Sequence, residues 1–585
     1  MLNTDYERRP FWQASMPQLP DRSGRALPDA ADVVVVGGGY AGICAARELA
    51  RRGVRVTLVE ANTLGWGAST RNGGIVRAGY KLGPNELLRH YGEETARALW
   101  RDALAAYELV KQLIADEAID CDFRERGHLV LAYAPAHVAR LEKAHAALAS
   151  AGVRSTLVPR ERLREEIGSD AYFGGLTVEG SGLLHPGRYF AGLLAAADRA
   201  GADLHEGVRA TRVRRQADGR FDVETSRGTI VARDVFVATN GYTDGVVPAL
   251  RRRIIPIGSY LIATEPLPAD LALELSPRGR AFFDTKNFLY YWHISADGRM
   301  VFGGRTSFMP TSIDKTAAIL HRGLLEVHPQ LAGHRVAHAW GGNVGFTLDT
   351  MPHVGRTSDG VTYALGCCGA GVALMTYLGT QAGQWLAGGQ APALARLSFP
   401  LVPVPYEGRP WFMPLAGEWF RLKDWLAARS SQQPVILAEE RHGKQSPAAR
   451  TLGSPDSGAD PNRAFRHGYR LRRGRDGRLG AWPGERRLLQ PLRRCRRVAR
   501  RGAFRHNRLD GDSAPEPRGT DRADPRAGEL GGGRAVCGQR DLEVGHPGPC
   551  TDDDRLCFGG AGVRAPPPDL LAGRRARRSA RRRRR

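Results

Sequence analysis

The chain has 585 residues, 42% of them hydrophobic, and a formal charge of +24, a length that divides into two to four domains with a sizeable core. The charge is uneven: residues 1–430 hold 49 Lys and Arg against 43 Asp and Glu, while residues 431–585 hold 36 against 18, so the basic excess belongs mostly to the tail. Cys44, Cys121, Cys367 and Cys368, the four cysteines of the first 430 residues, form no Cys-x-x-Cys pair and no cluster of metal-ligand spacing, which excludes a metal centre there and reads as the reduced thiols of a cytoplasmic protein.

Met1 to Pro28 mixes Asp5, Glu7, Arg8 and Arg9 with four prolines, an N-terminal extension without the apolar core of a signal peptide. The run Val33 to Val36 then predicts a strand buried on both faces of a parallel sheet, Ala41 to Arg52 a helix ending at Gly53, and Val54 to Val59 a second strand closed by Glu60. Between strand and helix lies Gly37-Gly-Gly39-Tyr40-Ala41-Gly42. Glycines at its first, third and sixth places turn the chain tightly, admit a pyrophosphate to the backbone and let the helix pack on the strand, which makes this a dinucleotide-binding start. The helix N-terminus offers positive charge to the phosphates, and Glu60 accepts hydrogen bonds from ribose hydroxyls. Its negative charge would repel a 2′-phosphate, which favours FAD or NAD over NADP.

Glu86 to Ile119 and Ala134 to Ser150 carry apolar residues at helical spacing, and Pro186 to Gly201 is a further helix. Asp203 to Glu206, Phe221 to Thr225 and Ile230 to Ala238 predict a β-meander feeding back into the sheet. From Ile254 to Phe346 the pattern is strand-rich (Ile254–Thr264, Phe288–Ile294, Met300–Gly303, Ala337–Phe346), broken by one helix near Ile313 to Val327. Strand Val361 to Leu365, loop Gly366 to Gly371 and helix Val372 to Leu386 then return to the nucleotide pattern. No run of about 18 apolar residues occurs, so no membrane-spanning helix is expected. Beyond residue 430 the positive charges are Arg apart from Lys444, and the chain ends in Arg581 to Arg585. No packed domain is expected there. The tail reads as translation of a GC-rich gene in a shifted frame or past its natural stop, the alternative being an Arg-rich segment attracted to nucleic acid or an anionic surface.

Five segments in order resemble the FAD-dependent amine and amino-acid oxidases, the D-amino-acid oxidase-like family. They are the glycine turn, Gly65-Trp-Gly-Ala-Ser-Thr-Arg-Asn-Gly-Gly74, Val235-Phe-Val-Ala-Thr-Asn-Gly241, Trp340 to Arg356, and Gly366 to Val372. The likeness is greatest to the γ-glutamylputrescine oxidase-like branch, through the Pro-rich lead, Ala263-Thr-Glu-Pro266 and Tyr290-Tyr291. It implies a mixed α/β fold: a Rossmann-type FAD-binding domain (31–250 and 345–390, with helical cap elements), an inserted antiparallel-sheet substrate domain (251–344) and a closing segment (391–430), to which the composition adds a disordered tail (431–585). FAD contacts are implied at Gly37, Gly39, Tyr40, Ala41, Gly42, Glu60, Ala68, Ser69, Arg71, Asn72, Gly73, Gly74, Ala210, Thr239, Asn240, Gly241, Gly369, Gly371 and Val372. Gly342 and Asn72 stand where neighbouring branches attach the flavin through Cys or His, so a noncovalent FAD is expected. Arg77 matches one half of a substrate-carboxylate clamp, but Ala373 replaces its Lys, which favours a longer amine over a small α-amino acid. The Lys associated with oxygen reactivity has no counterpart in Met300 to Gly304, which leaves oxygen or another carrier as the electron acceptor.

Amine oxidation of this kind moves a hydride equivalent from the carbon bearing the amine to flavin N5 and leaves an imine that water hydrolyses. It requires a dry, positioned, apolar site more than a dedicated base. Tyr291, Arg77 and Trp340 are the candidate pocket residues, and strand alternation lets only one of Tyr290 and Tyr291 face the flavin. Cys367 and Cys368 read as small residues in a tight turn, and most of His185, His293, His338 and His353, scattered without metal-ligand spacing, as structural or exposed. A second glycine motif after a strand is absent, which argues against a pyridine-nucleotide reductase.

Overall fold

The computed structural model describes residues 2–304 and 311–429. The chain divides into two units at Ala449, the first of which holds all the described residues, and the expectations for residues 431–585 lie outside them.

Among the described residues the first sheet has eight strands. Its parallel body runs Thr362–Leu365, Gly228–Val237, Ala30–Val36, Val56–Val59 and Asp203–His205, with His353–Arg356 antiparallel at one edge. Val33, Val34 and Val35 are wholly buried, as continuous apolar runs are in sheets covered on both faces. Helices Tyr40–Arg51 and Gly371–Leu386 pack together against it, so closely that a Cβ on Gly379 would strike the carbonyl oxygen of Ala41. The helix expected over residues 86–119 is two, Pro84–Tyr91 and Glu93–Asp116, because Gly92 takes a φ of 76° that breaks the ladder.

The second sheet, also eight-stranded, runs Val336–Phe346, Ile255–Pro266, Arg299–Gly304, Tyr290–Ile294, Ala281–Asp284, His128–Leu131, Gly174–Val178 and Ser155–Pro159. It is therefore not confined to residues 251–344. Its last three strands come from within 31–250, where four- and five-residue segments with a glycine pair at Gly174-Gly175 give too little periodicity to declare themselves. The strand expected from Phe288 begins at Tyr290, because the amides of Asn287 and Phe288 donate to the Asp424 carboxylate, on helix Met413–Arg429, instead of to a ladder.

Alternation gives this sheet two unlike faces. Leu129, Phe282, Trp292 and Phe302 pack with Leu320 and Leu324 of the Ile313–Val327 helix. His128, Val130, Phe283, Tyr291 and Leu261 line a cavity on the other face. The N-terminal lead is built into the molecule: Glu7 pairs with His338 at the sheet edge, and Phe11 and Trp12 are buried.

Candidate functional site

One cavity of about 920 Å³ runs from the carboxyl ends of the parallel strands, at Val36 and Val59, to the second sheet at Leu261 and Tyr291. At its first end the Glu60 carboxylate accepts from the amides of Gly38 (2.8 Å) and Asn62 (2.9 Å), which fixes it at the end of its strand. The Tyr40–Arg51 helix begins there without a side-chain cap; Ser69 Oγ takes the Tyr40 amide, and those of Ala41 and Gly42 donate to nothing among the described residues. Uncapped amides at a helix start attract phosphate, and the carboxylate beyond them suits a ribose diol. The cavity therefore fits the dinucleotide of FAD.

Most of the expected contact residues line this cavity; Gly42, Gly74 and Gly241 do not. They act behind the wall: a Cβ on Gly42 would strike the carbonyl of Gly37, one on Gly74 would sit 2.5 Å from the Leu184 oxygen, and Gly241 packs on the Asn343 backbone. Asn240 and Asn72 line the cavity but spend their amides on the chain. Asn240 Oδ1 accepts from the amides of Gly366 (3.0 Å) and Cys367 (3.3 Å), tying the first sheet to the glycine turn. Asn72 Nδ2 donates to the carbonyls of Ala68 and Ser69 while its Oδ1 accepts from the Gly74 amide.

The Gly65–Gly74 loop is held from behind by three buried donors. Trp340 Nε1 donates to the Arg71 carbonyl (3.0 Å), Trp12 Nε1 to that of Asn72 (2.7 Å), and His293 Nε2 lies 2.8 Å from that of Gly73. Trp340 was expected on the substrate wall. It shares the cavity face of the sheet, but Phe11 and Trp12 cover it, so it supports the loop instead. Trp12 carried no expectation, since a lone Trp in a proline-rich lead has no periodic neighbours to mark it as core, and the support that His293 gives this loop is not visible in its sequence surroundings.

Alternation turns Tyr291 to the cavity and Tyr290 to the Ile313–Val327 helix, where it packs on Phe302 and Gly323. Tyr291 donates to or accepts from Ser259 Oγ at 2.9 Å, and its ring lies so near the loop that a Cβ on Gly73 would be 2.7 Å from it. Arg77 also lines the cavity; its guanidinium lies 3.4 Å from the Tyr80 carbonyl and pairs with no carboxylate among the described residues. Burial holds it below its usual range. His128 and Phe283 complete this end, a short-strand contribution that sequence periodicity does not reveal. The cavity's two lining acids, Glu60 and Asp244, are on its nucleotide side.

Cys367 and Cys368 line the cavity as free, buried thiols, and burial pushes Cys368 up to about 12. Neither joins the other in a disulfide. No group of three or more potential metal ligands occurs among the described residues, nor any helix long and apolar enough to cross a membrane.

Several known proteins are similar to this chain. The chain is 32% identical over 422 residues to the probable oxidoreductase OrdL of Rhizobium meliloti (strain 1021), covering 71% of this chain and 97% of the relative. It is 32% identical over 400 residues to the gamma-glutamylputrescine oxidoreductase of Escherichia coli (strain K12), covering 68% and 93%. Glycine oxidase from Geobacillus kaustophilus superposes with a TM-score of 0.54 at 22% identity, over 64% of this chain and all of that one, a likeness of fold. The profile of the FAD dependent oxidoreductase family matches residues 32–385. With that match laid over the nucleotide cradle, the loop and the glycine turn, the chain belongs to the FAD-dependent oxidoreductases and is an enzyme of that family.

Proposed function

We propose that this protein oxidises the C–N bond of an amine, either a polyamine derivative such as γ-glutamylputrescine or an amino acid, and holds its FAD noncovalently in the cytoplasm. The observation that carries this reading is the composition of the Tyr291 end of the cavity: Tyr291, Phe283 and Leu261 form apolar walls, Arg77 is a half-buried charge, and both lining acids are elsewhere. When bound, FAD supplies the two-electron acceptor for such a reaction. The chain's own residues hold the amine, exclude water and direct a polar substrate group toward Arg77. No general base is needed if the amine enters neutral.

The 32% identity to the gamma-glutamylputrescine oxidoreductase supports the polyamine choice. Residues 31–250 and 345–390 would then bind the nucleotide and residues 251–344 the substrate, with the strands between His128 and Val178 added to the second part. Oxygen or a carrier takes the electrons away. An anaerobic panel of γ-glutamylputrescine, putrescine, sarcosine and D-alanine tests the reading: one of them should bleach the yellow absorbance of the purified protein, and failure of every amine would sink it. Admitting oxygen afterwards separates oxidase from dehydrogenase.

A further inference from the structure

The helix Met413–Arg429 carries apolar residues on two sides, and the fold covers only one of them. Met413 and Gly417 are buried on the inner side. Asp424 shares that side, and its carboxylate accepts from the amides of Asn287 (2.9 Å) and Phe288 (3.0 Å). Those bonds fix the rotation of the helix and turn its opposite side to solvent. Leu415, Trp419, Leu422 and Leu426 follow one another there at steps of four, three and four residues. Together with Trp411 and Trp425 they are between 45% and 75% exposed. Thirteen large hydrophobic side chains are exposed among the described residues, and these six fall within one short stretch. Three half-exposed Trp rings alone leave roughly 350 Å² of aromatic surface in water, as much as the largest apolar patch on an ordinary monomer, about 300–600 Å². Cations border the face on both sides: the Arg421 guanidinium lies 5.4 Å from the centre of the Phe288 ring, and the Lys423 ammonium 5.2 Å from that of Trp419. The acid beside them, Glu418, is ion-paired with Arg421.

We propose that this face docks on the anionic surface of a lipid bilayer, with the helix lying in the plane of the headgroups. Leu415, Leu422 and Leu426 enter the boundary of the acyl chains, and the Trp rings sit at headgroup depth, where an apolar body with one polar N–H is suited on both counts. Arg421 and Lys423 lay their stems along the apolar surface and present their charges to lipid phosphates. The helix is not long and apolar enough to cross a membrane, so it lies on the surface and does not span it. A second copy of the chain is the other occupant that steps of four, three and four residues would suit. Charge decides against it: the chain carries +24, and residues 1–430 are positive on their own with 49 Lys and Arg against 43 Asp and Glu, so two copies repel each other while an anionic leaflet attracts either one. The width of the face agrees. Trp425 and Trp419 lie about 120° apart around the helix axis, a broader arc than the two-position seam of a helix pair.

Flotation of the FAD-loaded full chain with vesicles of equal parts phosphatidylglycerol and phosphatidylcholine tests this. Charge alone also draws Arg-rich sequence to such vesicles, so binding is read again in about 1 M NaCl, where the screening length falls to about 3 Å and an inserted apolar face still holds. The parent should float with the vesicles in both salts. The double variant Leu415→Glu with Leu422→Glu should bind at least about tenfold more weakly in the high salt, as loss of two apolar side chains from the boundary predicts. Both positions are exposed, and retained flavin absorbance and an unchanged Tm show that the variant is folded. Lipids brominated on their acyl chains should quench part of the parent's Trp fluorescence, and Trp419→Phe with Trp425→Phe should remove most of that quenching. A parent that stays free of the vesicles, or a double variant that binds as well as the parent in high salt, overturns the proposal. So does a parent that sediments as a dimer which the double variant dissolves while vesicle binding is the same in both, an outcome that assigns the face to a second copy.

Discussion

His293 joins the second sheet to the Gly65–Gly74 loop, and its protonation has a calculable effect. Burial pushes it down to about 4, and His185 and His328 are pushed down to about 4 by the same cause. A histidine whose folded value lies below its ordinary 6.5 stabilises the fold fully above pH 6.5, and that contribution is lost as pH falls toward 4. For His293 alone the span is about 3 kcal/mol. Thermal unfolding should therefore drop steeply between pH 6.5 and 4, and His293→Gln, which keeps a donor for the Gly73 carbonyl, should flatten the profile by about one proton's worth. Superimposable profiles would refute this assignment. At this scale the sequence revealed the glycine turn, Glu60 and Tyr291, because each is tied to a local pattern. It did not reveal His128, Trp12 or His293, whose roles exist through partners 50 to 220 residues away.

The loop from Gly65 to Gly74 is the element on which the cavity turns. Its carbonyls at Arg71, Asn72 and Gly73 are each taken by a side chain from a different segment, so its conformation is set from outside as well as by the bonds Asn72 makes within it. Trp12→Phe keeps the buried ring and removes one donor, leaving the Asn72 carbonyl unsatisfied in a dry interior. The expected cost is about 1–3 kcal/mol, read as a lower Tm, together with a shift of the bound flavin's absorbance maxima; an unchanged spectrum would show that the loop does not depend on this bond. Elements with long periodicity were readable from sequence, among them the Ile313–Val327 helix and the strands flanking the glycine turn. Gly92 hid a helix break, and the Asp424 carboxylate shortened a strand from a segment with no apparent connection to it.

The whole molecule places one cavity between a nucleotide sheet and a second sheet whose faces differ in character. That arrangement was legible from the order of motifs, since each half has its own periodicity. The recruitment of residues 128–178 into the second sheet was not, because register between distant strands leaves no local trace. The residues that line the cavity run from Val36 to Met375. Removal of residues 431–585 should leave flavin content and amine turnover within about twofold of the full chain, measured by absorbance ratio and initial rate; loss of either would make the tail part of the enzyme.

The parallel pairing of His128–Leu131 with Ala281–Asp284 joins strands about 150 residues apart in the chain. During synthesis the earlier strands leave the ribosome long before their partners, with Leu129 and Leu131 facing water until the Ala281–Asp284 strand arrives. Non-local pairings of this kind close slowly and expose strand edges while they wait. The same topology that lets a residue from the first third of the chain reach the Tyr291 end of the cavity thus leaves a strand edge of the nascent protein unpaired until most of it has been made.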